Sequence, residues 1–198
     1  SFFGNKNIST GEGGALLTNN SDFYEFALKV RGQGQTEKRY IHDILGNNYR
    51  MTNIQAAILL GQLESFEETK SLKKNIFDQY KSNLKNCELI SLQESESNTD
   101  HSNWMFGVRF KLLDNYKKAE SFFEEAGIET RPMFYPYHVH GYINASGPHS
   151  NSDLINKQVV VFPSYPSLST DQIDYICDKI YSFSSQLFWE WGDKEDLL

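Results

Sequence analysis

A lysine, Lys6, stands among small polar residues in the opening stretch Ser1-Phe2-Phe3-Gly4-Asn5-Lys6-Asn7-Ile8-Ser9-Thr10, and Gly11-Glu12-Gly13-Gly14 follows it. Glycines let backbone approach a ligand closely and hydroxyls hold phosphate oxygens, so the stretch has the parts of a phosphate cradle. The spacing is neither the Gly-x-x-x-x-Gly-Lys-Ser/Thr of a P-loop nor the Gly-x-Gly-x-x-Gly of a dinucleotide fold. On residue types alone, an ordinary glycine turn with an exposed lysine is the favoured reading. His138 and His140 alternate as metal ligands would, but no third ligand stands near them in sequence, so no metal site is expected. Cys87 and Cys177 are far apart and lack metal-ligand spacing, and they read as buried small hydrophobes. Trp104 and Met105 read as core or interface packing in preference to a base-stacking platform.

These residues need elements to position them. Ala15 to Thr18 is a short apolar run between Gly13-Gly14 and Asn19-Asn20, which predicts a strand. Ser21 is then expected to cap a helix carrying Phe23, Phe26, Ala27 and Val30, with Gly32 as a left-handed stop. Gln33 to Met51 is rich in Gly, Asn, Arg, Tyr and His without periodicity, and reads as a long functional loop. Thr52 and Gln55 form a capping box ahead of Ile54, Ala57, Ile58 and Gly61, starting a long helix with a break near Ser71 that runs through Ile76, Tyr80 and Leu84. A domain boundary is placed inside it, giving domains 1–60 and 61–198.

Val108, Phe110 and Leu112 alternate as a half-buried strand, and Ala119, Phe122, Phe123 and Ala126 form a helix stopped by Gly127. Asn144 to Ser152 reads as a loop, Val159 to Phe162 as a buried strand, and Ser169 with Gln172 as a second capping box before Ile173, Ile176 and Ile180. Trp189 to Leu198 reads as an acidic, frayed tail. The order of elements indicates an α/β or α+β unit.

Composition excludes several classes. With 198 residues, 39% apolar and 23% charged, the chain is globular, not collagenous, coiled-coil or disordered. Its 19 Lys+Arg against 26 Asp+Glu give a charge of -7, which offers no electrostatic drive toward nucleic acid. No apolar run approaches the roughly 18 residues of a spanning helix, and a cytoplasmic protein that does not enter a membrane is expected. The opening residues carry no cap, leader or linker, so the chain is expected to begin inside a domain.

Five blocks together carry a resemblance. They are the Ser1–Gly14 stretch; Arg39-Tyr40-Ile41-His42-Asp43-Ile44-Leu45-Gly46-Asn47-Asn48-Tyr49-Arg50-Met51-Thr52 and onward to Ile58; His101-Ser102-Asn103-Trp104-Met105; Glu129-Thr130-Arg131-Pro132-Met133-Phe134-Tyr135-Pro136-Tyr137-His138; and Pro163-Ser164-Tyr165-Pro166-Ser167-Leu168-Ser169. In this order they resemble the DegT/DnrJ/StrS family of sugar aminotransferases across nearly the whole chain. Within the family the wording is most similar to members that aminate C4 of GDP-4-keto-6-deoxymannose. The resemblance implies an α/β fold that is a fragment of a fold type I pyridoxal-phosphate-dependent transferase: the end of the large domain plus the small C-terminal domain.

It implies further that pyridoxal 5′-phosphate (PLP) is the cofactor. Lys6 would be the catalytic amine that holds the cofactor's aldehyde and moves protons, Ser1 would bind its phosphate, and Asn48 would reach the phosphate of a neighbouring subunit in a homodimer. Arg131, Tyr135 and His138 would lie near the sugar nucleotide, a guanidinium being suited to phosphate oxygens; Arg131-Pro132 also reads as a strand-end turn. His42 would contact substrate or cofactor, or hold its own loop. The implied reaction takes an amino group from glutamate and gives GDP-perosamine. A dTDP- or UDP-linked keto-sugar acceptor and a non-catalytic homologue are the alternatives. Dehydratase relatives carry histidine in place of the lysine, so Lys6 favours transamination.

The family's pyridinium-binding aspartate, stacked aromatic and second phosphate turn all precede the lysine and are not in this sequence. The chain alone is therefore expected to be inactive and poorly soluble, its first strand lacking neighbours. Asn47 replaces an aromatic or apolar residue, and Phe188 to Leu198 has no family counterpart.

Overall fold

Phe106, Val108 and Phe110 point one way along their strand while Gly107 and Arg109 point the other, and burial follows that alternation of side chains. The strand belongs to the second of two compact units, Ser1–Glu68 and Thr69–Leu198, seen in a computed structural model that describes residues 1–144 and 147–195. Part of the expected Asn144–Ser152 loop and the last three residues of the tail lie outside the described residues.

In the first unit, α1 (Ser21–Arg31) is capped by Asn20, whose side chain accepts from the Phe23 N–H, so the cap falls one residue before the expected Ser21. The left-handed stop also moves. Gly32 has φ −91, while Gln33 and Gly34 have φ 71 and 70. The Gly34 N–H reaches the Lys29 carbonyl at 2.8 Å, closing the helix as a Schellman motif does. The Val30 carbonyl, which such a motif would give to Gln33, accepts instead from the Asn47 N–H at 2.8 Å, and Gln33 donates to the Asn47 carbonyl at 3.0 Å. The Gln33–Met51 loop is thereby stitched to the end of α1. A Cβ on Gly34 would stand 2.0 Å from the Ile44 carbonyl oxygen and one on Gly46 2.2 Å from the Gly34 nitrogen, so both positions require glycine.

α2 (Asn53–Glu64) begins at the expected capping box, both bonds of which are present. The predicted strand at Ala15–Thr18 does not form: the residues take no ladder, and Leu17 is 89% exposed. A strand needs a neighbour for its backbone groups, and none pairs here. α1 and α2 likewise contain no buried residue.

α3 (Phe66–Leu84) starts after an interruption at Ser65, not near Ser71, and its inward stripe is Lys73, Ile76, Phe77, Tyr80 and Leu84. The second unit's sheet has four antiparallel strands, which lie side by side in the order Ile90–Leu92, Phe106–Phe110, Val159–Phe162, Arg131–Pro132. These are β1 (Ile90–Leu92), β2 (Phe106–Phe110), β3 (Arg131–Pro132) and β4 (Val159–Phe162). β2 and β4 pair with Phe106 opposite Phe162 and Val108 opposite Val160, and all four residues of β4 are buried. Leu112 falls just beyond β2 in a turn. α4 (Tyr116–Glu125) ends before Gly127 at φ 72, as expected.

α5 (Ser150–Gln158) takes up the end of what the sequence reads as a loop. α6 (Thr170–Glu195) starts at the second capping box, buries Ile173, Ile176, Ile180, Phe183 and Leu187 on its inward face, and continues to Glu195 where a frayed tail is expected from Trp189. Phe110, Phe123, Phe162 and Phe183 meet at the centre, with Phe123 edge-on to Phe162 at 4.9 Å and Phe183 edge-on to Phe110 at 5.1 Å. Each such ring contributes about 1.5–3 kcal/mol by burial. Cys177 is buried, its thiol pushed up to about 12 by that burial; Cys87 is half-buried beside the Ser184 hydroxyl at 3.4 Å. No described helix is long and apolar enough to cross a membrane.

Candidate active site

The Ser1–Gly14 stretch folds back on itself. Phe2 donates to the Gly13 carbonyl and Thr10 to the Phe2 carbonyl, both at 2.9 Å, and the Thr10 hydroxyl donates to the Glu12 carbonyl at 2.6 Å. Within this fold the Lys6 N–H bonds the Phe3 carbonyl at 3.0 Å, and the Phe3 N–H reaches Ser1 Oγ at 3.4 Å. An amine and a hydroxyl therefore ride on one short turn, with Lys6 half-buried and Ser1 exposed. Because Ser1 Oγ accepts from the backbone, its own O–H is left to donate outward. A phosphorylated aldehyde fits this donor set: the amine for the carbonyl carbon, the hydroxyl for a phosphate oxygen. The Gln55 capping side chain also donates to the Glu12 carbonyl at 3.2 Å, so α2 helps to hold the turn.

His42 and Asn48 sit on the stitched loop. His42 donates from Nδ1 to the Gln33 carbonyl at 2.9 Å and its backbone bridges to Gln35, so one ring nitrogen is spent on holding the loop. Asn48 bridges to Gly32 and accepts from Arg50 Nε at 3.0 Å. Lys29 binds Asp43 at 2.5 Å across the same loop, and that bond holds the Asp43 carboxyl below its usual range.

In the second unit, Arg131 begins β3 opposite Val161, with its guanidinium 3.4 Å from Glu129 and largely exposed. Tyr135 is exposed. His138 lies on a short 3-10 turn, Tyr137–Val139, donates from Nε2 to Asp153 at 3.0 Å, and stacks on His149 with ring centroids 4.3 Å apart. His140 stacks instead on Tyr142, at 5.8 Å.

Sequence reasoning missed Lys73. It is 4% exposed, yet its ammonium donates to the Trp104 carbonyl at 2.9 Å and to both the carbonyl and the hydroxyl of Ser164. The Trp104 ring stacks on Phe134 at 6.2 Å. One buried cation thus ties together the block around Trp104 and the block around Ser164, and the Trp104 ring carries the connection on to the Arg131–His138 block. No carboxylate answers its charge in these bonds, and burial pushes the amine down to about 8. The signal was present in the stripe Lys73, Ile76, Phe77, Tyr80, whose spacing puts the lysine on the inward face. His149 and Asp153, which hold His138, gave no such signal because they meet it through a loop.

Residues 1–181 match the model of the DegT/DnrJ/EryC1/StrS aminotransferase family. The chain belongs to this family. It is 38% identical over 187 residues to the GDP-perosamine synthase of Escherichia coli O157:H7, covering 93% of this chain and 51% of that one. An aminotransferase involved in the biosynthesis of pseudoaminic acid, from Helicobacter pylori, has the same fold at TM-score 0.82 and 20% identity, over 94% of this chain and 52% of that one. A candidate sugar aminotransferase from Streptococcus pneumoniae, in its PLP form, does so at TM-score 0.77 and 20% identity, over 94% and 51%. The chain spans about half the length of the curated relatives it matches. Its fold is that of a fragment of a fold type I PLP-dependent transferase, which agrees with the α/β class read from the five DegT-family blocks.

Proposed function

We propose that the polypeptide bearing this sequence is a PLP-dependent sugar aminotransferase that moves an amino group from glutamate to C4 of GDP-4-keto-6-deoxymannose, giving GDP-perosamine. The observation that carries the reading is Lys6 on a hydroxyl-bearing turn, at the position where the DegT-family blocks require an amine. The 38% identity to a GDP-perosamine synthase supports the choice of sugar nucleotide. When bound, PLP supplies the electron sink that lets an amino group leave one carbon for another.

The chain's own residues have separate tasks. The Lys6 amine holds the cofactor and, once displaced by the donor, carries a proton between the two carbons concerned. Ser1 donates its hydroxyl to a phosphate oxygen. Asn48, fixed on a loop pinned by His42 and by Lys29–Asp43, offers its amide to the phosphate of a second copy, so the active enzyme is a homodimer with shared sites. Arg131, with Tyr135 and His138, meets the nucleotide sugar; a guanidinium binds phosphate oxygens through a fork of donors. The first unit is the end of the cofactor-binding domain and the second is the small C-terminal domain.

The test is peptide mapping after incubation with PLP and borohydride, on this chain and on the longest polypeptide that carries it. An adduct confined to Lys6 in the longer polypeptide and lost in Lys6→Ala is the expected result, followed by amination of GDP-4-keto-6-deoxymannose with glutamate. Labelling spread over surface lysines would remove the assignment.

A further inference from the structure

Between the end of α5, the turn after β2 and the late turns of α6, the second unit has a half-open cavity of about 260 Å³. Its apolar wall is Leu112, Leu113, Leu187 and Trp191. Leu113 and Leu187 are buried to within a few per cent, whereas Trp191 is 44% exposed. Leu187, Glu190 and Trp191 lie beyond residue 181, where the match to the family model ends.

The polar lining has a surplus of positive charge. Among the described residues, Lys111, Lys118 and Lys157 face Asp114 and Glu190, three cations against two carboxylates. Lys118 sits 3.3 Å from both Asp114 and Glu190, so its charge is answered. Lys111 gives one N–H to the neutral Glu88 carbonyl at 2.6 Å and keeps its charge. Lys157 is exposed at the end of α5 and is paired with no carboxylate among the described residues. Gln158 accepts from Arg109 at 2.8 Å and donates one N–H to the Lys111 carbonyl at 2.7 Å, which fixes its amide between α5 and the end of β2. An apolar wall with one aromatic face and two lysine ammoniums beside it, neither paired with a carboxylate among the described residues, selects a ligand of matching build. The volume is just under that of drug-sized sites.

We propose that this cavity binds a small organic anion with one carboxylate or phosphate group on a planar ring, Lys157 meeting the anionic group with help from Lys111 and Trp191 lying against the ring. Ring against indole is worth a few-fold in affinity, and a hydrogen bond to a charged group about 10-fold or more. The inference makes no use of Lys6 and stands or falls apart from the transaminase reading.

The experiment is a nitrogen-15 NMR titration of the whole chain with indole-3-propionate and with phenyl phosphate, which separate the carboxylate from the phosphate source. Indole-3-propionamide and inorganic phosphate serve as the neutral ring and the bare anion. Saturable shifts at the Trp191 indole N–H, Leu113 and Lys157 are expected with one or both ring-bearing anions, weakened about 10-fold for the neutral amide and for Lys157→Gln, and about 5-fold for Trp191→Leu. Lys157 and Trp191 are exposed enough for both variants to fold, which the unchanged remainder of the spectrum would verify. No saturable shift up to about 10 mM of either ring-bearing anion would overturn the proposal. So would equal binding of the neutral amide, or an affinity indifferent to Lys157→Gln.

Discussion

Replacing Lys73 with methionine tests how the second unit holds its buried cation. The ammonium is nearly inaccessible and answered by the Trp104 carbonyl and the carbonyl and hydroxyl of Ser164, and its pKa falls from 10.5 to about 8. Between those two values the unfolded chain binds a proton that the folded chain does not, so stability rises with pH across the window. The limiting slope is about 1.4 kcal/mol per pH unit, and the full span is worth about 3 kcal/mol. Cys177 opposes it above pH 9, because its thiol ionises near 9.0 when unfolded and only near 12 when folded. The clean interval is therefore pH 7.5 to 9, over which the wild type gains about 1 kcal/mol from Lys73. Urea unfolding followed by tryptophan fluorescence reads this unit alone, since Trp104, Trp189 and Trp191 all lie in it. The difference in stability between wild type and Lys73→Met should grow by that amount from pH 7.5 to 9. Parallel pH profiles for the two proteins would refute the argument, because Cys177 and every other titration are common to both.

Phe123→Ala, at the meeting point of the aromatic core, should cost about 3–5 kcal/mol in the same unfolding measurement. Gly46→Ala places a methyl against the Gly34 backbone nitrogen, and limited proteolysis should cut the Gln33–Met51 loop at least several-fold faster while the core of the second unit stays resistant. In the complete enzyme, Arg131→Lys keeps the charge but loses the planar fork. It should raise KM for the nucleotide sugar about 10-fold with kcat little changed, and an unchanged KM would take Arg131 out of the substrate site.

Periodic patterns were readable wherever burial is one-sided. Val108 and Phe110, the Phe122-Phe123 face of α4, both capping boxes and the stripe Ile173, Ile176, Ile180 all behave as their spacing requires. The misreadings share a different cause, which is dependence on something distant in sequence. Ala15–Thr18 has strand composition, but a strand is made by its neighbour. The left-handed turn passes from Gly32 to Gln33 because the latter's N–H is claimed by Asn47. α5 is polar and weakly patterned, and it is held by Asn156 donating to the Met133 carbonyl at 2.9 Å and by Asp153 on His138, partners a local window does not contain. At the candidate site, the family was legible through five ordered blocks taken together, and the role proposed for Lys6 rests on them. Lys73 shows that an inward lysine is as much a signal as an inward leucine, provided its position on the helix is counted before its charge.

The bond between Val30 and Asn47 ties the end of α1 to a residue 17 positions downstream, and Gly34 and Gly46 interlock beside it. Helix terminus and loop therefore have one opening reaction between them. The last turn of α1 cannot fray without releasing the segment that carries His42 and Asn48, and that segment cannot swing out without exposing the helix carbonyls. Cooperativity of this kind makes the loop's order a property of the whole structure around it, so a substitution on the far side of α1 reaches Asn48 through the backbone with no side chain in between.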